Sequence, residues 1–294
     1  RKQIFPFFVG CEVFGTIKVP LPPQWFLASA AAYREGDIMP FIKSNVHTHT
    51  TFCDGQDSME DMVKAAVSLG FDTLGFSFHS YTPFDPSYCI RDYYEYMREF
   101  ERLRKEYGQT ICLLNGVELD LYGERPSVCD FVIGSVHYLE ENGRRYPVDF
   151  SARGFKKLVD GMFRGDALAA AERYYAEVRE LAEKVKPDVY GHFDLITRFN
   201  KGGAFFDEES ARYKSAALSA VESLPAGAVI EVNLGRLFKG EGGMCPSDRL
   251  TREMLSAGCR FMLSSDAHCV GALGFGFDEA CAALKKLGVK SLVR

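Results

Sequence analysis

Seven short β-type runs of five to eight residues alternate with helical patterns from Lys43 to the C-terminus. This alternation is the strongest constraint on the fold. The runs are Ser44–His49, Thr73–His79, Ile111–Glu118, Phe131–His137, Val189–Phe193, Val229–Asn233 and Arg260–Ser265. In the second, Leu74, Phe76 and Phe78 alternate with Thr73, Gly75 and Ser77, the period of a strand whose faces differ. Between the runs, apolar residues recur at helical spacing. Met62, Val63, Ala66 and Leu69 follow a capping-box-like Ser58-Met59-Glu60-Asp61, and Gly70 stops that helix. A charged helix is expected over Tyr93–Tyr107, and a long crossover fills Leu139–Lys186, its main helix capped by Asp166. Strands separated by helices predict a parallel α/β architecture. No internal stretch is rich enough in Ser, Gly or Pro to divide it. A closed barrel and an open doubly wound sheet both satisfy the pattern.

The first 38 residues are unlike the rest. They hold the only Trp, Trp25, several prolines and the run Ile4-Phe5-Pro6-Phe7-Phe8-Val9. Glu12, Lys18 and the prolines break the resemblance to a signal peptide. The expectation is an N-terminal extension over 1–38 that is not part of the domain, with Met39 as the natural start and one domain over 39–294. No window offers the roughly 18 uninterrupted apolar residues of a membrane span. A net charge of -5 argues against a nucleic-acid coat. Nine cysteines, an odd number with no C-x-x-C pair, fit a reducing, cytoplasmic setting rather than a disulfide framework.

All six histidines lie at or just after the C-terminal ends of the expected strands. His47 and His49 end the first, His79 the second, His137 the fourth and His192 the fifth, and His268 follows the seventh. Carboxylates are interleaved: Asp54 in the first loop, Glu118 ending the third strand, Asp266 after the seventh. In a parallel barrel those ends meet on one rim, where active sites are built. A lone histidine at a strand end is most simply a half-buried side chain. Six crowded together without a cation would cost desolvation for little packing. Mixed His and carboxylate donors suit zinc, manganese or iron. Nine candidate ligands exceed one tetrahedral site and predict two or three ions.

Clustered divalent ions supply hydroxide at neutral pH and neutralise phosphoryl oxygens, so hydrolysis of a phosphoester is expected. The chain has no G-x-x-x-x-G-K-[ST] loop, no G-x-S-x-G elbow and no G-x-G-x-x-G after a strand. Cys53 and Cys269 adjoin candidate ligands but have no spare histidine to activate them.

The series NVHTHTTFCDG, SFHSYTPF, NGVELDLYG, DFVIGSVHYL, GHFDLITRFN, EVNLGRL and SSDAH resembles the polymerase-and-histidinol-phosphatase (PHP) superfamily, in that family's order. The resemblance implies a distorted (β/α)7 barrel, similar to a TIM barrel, with a trinuclear metal site. Carried over, the first metal falls to His47, His49, Glu118 and Asp266. Glu118 bridges to a second on His137 and His192, and a third sits on Asp54, His79 and His268. Glu118, Asp266 and His268 are the implied catalytic residues. GSVHYL, GHFDLITRFN and the crossover with Val148-Asp149-Phe150-Ser151 are similar to the monofunctional histidinol-phosphatases. The implied activity is hydrolysis of L-histidinol phosphate, with another phosphoesterase of the superfamily as the alternative. Arg198, Arg236 and Ser80 are the implied substrate-binding residues. The expected partner is a small phosphorylated substrate, with neither nucleic acid nor membrane.

Overall fold

The computed structural model describes residues 44–293. The expectations for 1–38 and for a start at Met39 lie outside them. The main sheet has eight parallel strands, curled into a barrel. They are β1 (Ser44–Asn45), β2 (Thr73–His79), β3 (Cys112–Asp120), β4 (Phe131–Ser135), β7 (Val189–Tyr190), β8 (Val229–Asn233), β9 (Arg260–Ser264) and β10 (Leu292–Val293). Closure occurs at the upper end. Thr48 bridges Ala267, and the His49 N–H donates to the Ala267 carbonyl at 2.8 Å. Lower down, β10 lies along β9, Leu292 against Phe261. The eighth strand was not expected: two residues at a chain end carry no period.

Period-two alternation builds two cores. Outward-facing Leu74, Phe76, Phe78, Val117, Ile230 and Leu263 pack under the surrounding helices. Inward-facing Leu114, Phe131, Ile133, Val189, Val229 and Met262 fill the barrel with Val46. The Phe131 ring takes the space that Gly116 leaves open. A Cβ on Gly116 would stand 2.1 Å from Phe131 Cζ, and one on Gly75 would stand 2.9 Å from it. Overpacking of this kind costs about 1–3 kcal/mol. Gly116→Ala should therefore lower the melting temperature by roughly 2–12 °C, at about 2–4 °C per kcal/mol for a domain of this size. Calorimetry checks it, and an unchanged midpoint would contradict the packing.

Helix α1 (Met59–Ser68) starts as expected, with a variation. Ser58 Oγ accepts the Asp61 N–H at 3.1 Å, and the shorter Asp61 carboxylate takes the Ser58 hydroxyl proton at 2.6 Å. Helix α2 covers Tyr93–Tyr107. The crossover is richer than its sequence pattern indicated. It opens with a hairpin, β5 (Tyr138–Glu141) and β6 (Arg144–Pro147), turned on Asn142 and Gly143, both at positive φ. That Asn-Gly pair is a strong hairpin signal. Helices α3 (Ala152–Phe163) and α4 (Ala167–Lys184) follow, and the Asp166 carboxylate caps α4 through the Ala169 N–H at 3.0 Å. Then come α5 (Ala211–Glu222), the single turn α6 (Gly235–Phe238), α7 (Asp248–Ser256) and α8 (Phe277–Leu287). Helix α7 was also missed by the sequence reading. Among the described residues no helix is long and apolar enough to cross a membrane, and the eight cysteines are all free thiols.

Candidate metal centre

Parallel register puts His79 of β2 directly beside Glu118 of β3, so both side chains leave the same face at the same height. The loop after β1 folds back through hydrogen bonds from the Cys53 and Gly55 N–H groups to the Thr50 carbonyl. That turn carries Asp54 over the barrel mouth. It needs glycine at 55, where a Cβ would stand 2.5 Å from the Thr50 nitrogen. On the far side Asp266 has φ 49°, a region non-glycine residues seldom enter. It is held there from both sides. Ala267 pairs with the His47 and His49 backbone, and the Asp266 carbonyl meets His268 Nδ1 at 3.0 Å.

These segments bring all nine expected ligands onto one rim. Four atoms come together at one point. His47 Nε2 lies 3.2 Å from Glu118 Oε2 and 3.5 Å from Asp266 Oδ1. His49 Nε2 lies 3.5 and 3.2 Å from the same two oxygens. Ligands about 2.1 Å from a tetrahedral zinc stand about 3.4 Å from one another. His47 Nε2, His49 Nε2 and Glu118 Oε2 are buried without a hydrogen-bond partner. Buried lone pairs facing one another at coordination spacing fit a cation.

The other oxygen of Glu118 lies 2.8 Å from His192 Nε2 and 3.1 Å from His137 Nε2, and accepts from Ser135 Oγ at 2.8 Å. Asp54 meets His79 Nε2 at 3.4 Å and His268 Nε2 at 3.2 Å. The geometric grouping departs from the expected one: Glu118 does not group with His47, His49 and Asp266, and His192 joins none of the groups. His49 joins the cluster of Asp54, His79 and His268, and His79 also groups with Glu118 and His137. His79 faces both ways, its Nδ1 lying 3.0 Å from Glu118.

The electrostatics follow from the crowding. Burial opposes charge on Glu118, but His47, His79 and His137 outweigh it and hold the carboxyl well below its usual range. Burial likewise opposes charge on His47, yet Glu231, Glu118 and Asp266 hold that imidazole well above its ordinary value. His49 goes the other way, to about 3. Burial excludes its charge, and His268 and His79, each stacked at 4.3 Å, repel it.

The rim opens into a cavity of about 380 Å³, whose walls include Arg198, Arg236 and Lys239. Arg198 is tethered by Glu241 at 2.8 Å and Asp149 at 3.3 Å. Arg236 donates to Thr197 Oγ1 at 2.8 Å and the Met244 carbonyl at 3.2 Å, leaving Nε without a protein partner. Ser80 is a correction: it does not line this cavity. Its buried hydroxyl accepts the Asp120 N–H at 3.2 Å and packs against Gly123, where a Cβ would stand 2.2 Å away. Two buried carboxylates were missed. Asp120 accepts the His137 N–H at 2.9 Å, and Glu231 contacts His47 Nδ1. A lone acid inside the apolar run Val229-Ile230-Glu231-Val232 was the available signal for the second.

The chain is 27% identical over 277 residues to a Schizosaccharomyces pombe protein carrying the name "Probable histidinol-phosphatase", covering 85% of this chain and 88% of that one. It is 26% identical over 267 residues to the histidinol-phosphatase of Bacillus subtilis, covering 80% and 97%. Its fold matches the Lactococcus lactis histidinol phosphate phosphatase, crystallised with Zn, L-histidinol and phosphate. That match has a TM-score of 0.65 at 20% identity, covering 85% of this chain and 95% of the other. The PHP domain model matches residues 45–234, from the first strand through β8, and the chain belongs to the PHP domain family.

Proposed function

We propose that this chain is a metal-dependent phosphomonoesterase that hydrolyses L-histidinol phosphate to L-histidinol and phosphate. The observation that carries the reading is a cluster of His, Asp and Glu donors, seven of which line a cavity that also holds two arginines. The names of the relatives point to the same substrate. In this reading the domain spans 39–294. His47, His49, Glu118 and Asp266 would hold one divalent ion. His137 and His192 would hold a second together with Glu118, and Asp54, His79 and His268 would hold a third. Zinc, manganese and iron suit these donors. Bound there, such ions supply hydroxide at neutral pH and offset phosphoryl charge.

The chain's own groups do the rest. Arg198 and Arg236 grip phosphate oxygens, for which a guanidinium is the best-shaped donor. Water oxygen bonds to phosphorus, the ester P–O bond breaks, and the leaving alkoxide takes a proton. Asp266 and His268 line the cavity, and in this reading they carry those protons. The cavity walls also include Tyr88, Tyr138, Asp85 and Asp149. Aromatic faces and carboxylates suit a cationic, imidazole-bearing alcohol better than an anionic nucleotide.

The test is phosphate release from a panel of monoesters by metal-loaded protein. L-Histidinol phosphate should exceed nucleotides and phosphotyrosine by at least about tenfold in kcat/KM, the discrimination expected of about 1.4 kcal/mol. A protein that cleaves the others well and leaves histidinol phosphate intact would falsify the substrate assignment.

A further inference from the structure

We infer that Glu231 is a positioning residue for the metal centre, holding the His47 side chain directly, the His192 backbone, and Asp266 through Asn233. The inference rests on the metal-centre reading above. Glu231 points into the barrel from β8 and is 1% exposed. One of its oxygens contacts His47 Nδ1 and Ser264 Oγ. The other accepts the His192 N–H at 2.7 Å and an amide proton of Asn233 at 3.1 Å. Asn233 passes the connection on. Its Nδ2 also lies 3.3 Å from Asp266 Oδ2, and its Oδ1 accepts the Gly235 N–H at 2.9 Å, at the start of the turn that carries Arg236. One acid thus joins the segments carrying His47, His192 and Asp266.

The chemistry requires a carboxylate. Every neighbour of Glu231 is a donor: an imidazole N–H, a hydroxyl, a backbone N–H and an amide. Only a group that accepts at both oxygens satisfies them all. A glutamine would turn an NH2 toward two of those donors. Accepting a hydrogen bond from Nδ1–H of His47 also fixes the tautomer, which leaves the Nε2 lone pair directed between Glu118 and Asp266.

The test compares wild type with Glu231→Gln in cobalt titrations of the chelator-stripped proteins. Circular dichroism and thermal melting in chelator report the fold. Cobalt affinity should fall by about 10–100-fold, the usual consequence of losing an outer-shell partner. The visible absorption of bound cobalt should change as His47 and Asp266 reorient. A folded variant with wild-type cobalt affinity and spectrum would overturn the inference, even if its melting temperature dropped. Should Glu231→Gln not fold, Glu231→Asp is measured instead. It keeps the charge but retracts the oxygens, and the same two readouts decide. A wild type that takes up no cobalt would overturn the metal-centre reading and this inference together. A wild type that loads cobalt beside an equally competent variant would overturn this inference alone.

Discussion

Glu118→Gln should reduce phosphate release by about a thousandfold or more, the loss expected when several kcal/mol of charge stabilisation disappears. The same substitution should cut the number of ions bound per chain. Both carboxylate oxygens are engaged: one with His47, His49 and His79, the other with His137, His192 and Ser135. An amide of the same shape keeps one oxygen and puts an NH2, which has no lone pair for a cation, where the second oxygen stood. The side chain is 1% exposed, so water cannot repair the loss. Phosphate release and elemental analysis of the purified variant give the two readings. A variant that loaded its ions normally and kept a tenth of wild-type activity would remove Glu118 from the centre of the site.

The sequence made the rim legible because two independent periods agree there. Alternation fixed which residues of Thr73–His79 face inward, and the histidines ended those runs. Glu118 was found for the same reason, as the charged end of an otherwise apolar strand. The missed parts are those whose roles depend on register between strands. Glu231 and Asp120 act on histidines 184 and 17 residues away, a relation no local pattern encodes. Ser80 failed for the complementary reason. Adjacency to His79 suggested the cavity, but the next residue of a strand faces the other way, and its hydroxyl ends against Gly123. The hairpin at Asn142-Gly143 had a readable turn, hidden because the segment was assigned whole to the crossover. The tethering of Arg198 by Glu241 and Asp149 joins separate loops, and loops carry no period.

Stripping the metal with a chelator should abolish phosphate release, and re-adding a divalent ion should restore it. The stripped protein should be most stable near pH 6.5 and lose stability on either side. Burial opposes charge on His79 and His137, as on His47, but Glu118 and other carboxylates hold all three imidazoles well above their ordinary value. In the folded, metal-free protein they stay protonated where the unfolded chain has released its protons. Their stabilising effect is fully present below about pH 6.5 and is lost as pH rises through the raised values. His49 has the opposite sign. It stays neutral when folded, down to about 3, so its effect is present above about pH 6.5 and is lost as pH falls. Glu118 and Asp266 add to that acid-side loss. Burial would raise both, but neighbouring imidazoles, His47 first, hold them well below the carboxylate range. Denaturant titrations of stripped protein at pH 5, 6.5 and 8.5 measure the curve. Stability that stayed level or rose from 6.5 to 8.5 would contradict the protonated imidazoles. Divalent ions compete for the same lone pairs, so loading at neutral pH must expel those protons. Calorimetric titration of the stripped protein in buffers of different ionisation enthalpy should register the release. It should also show metal affinity falling as the solution is acidified.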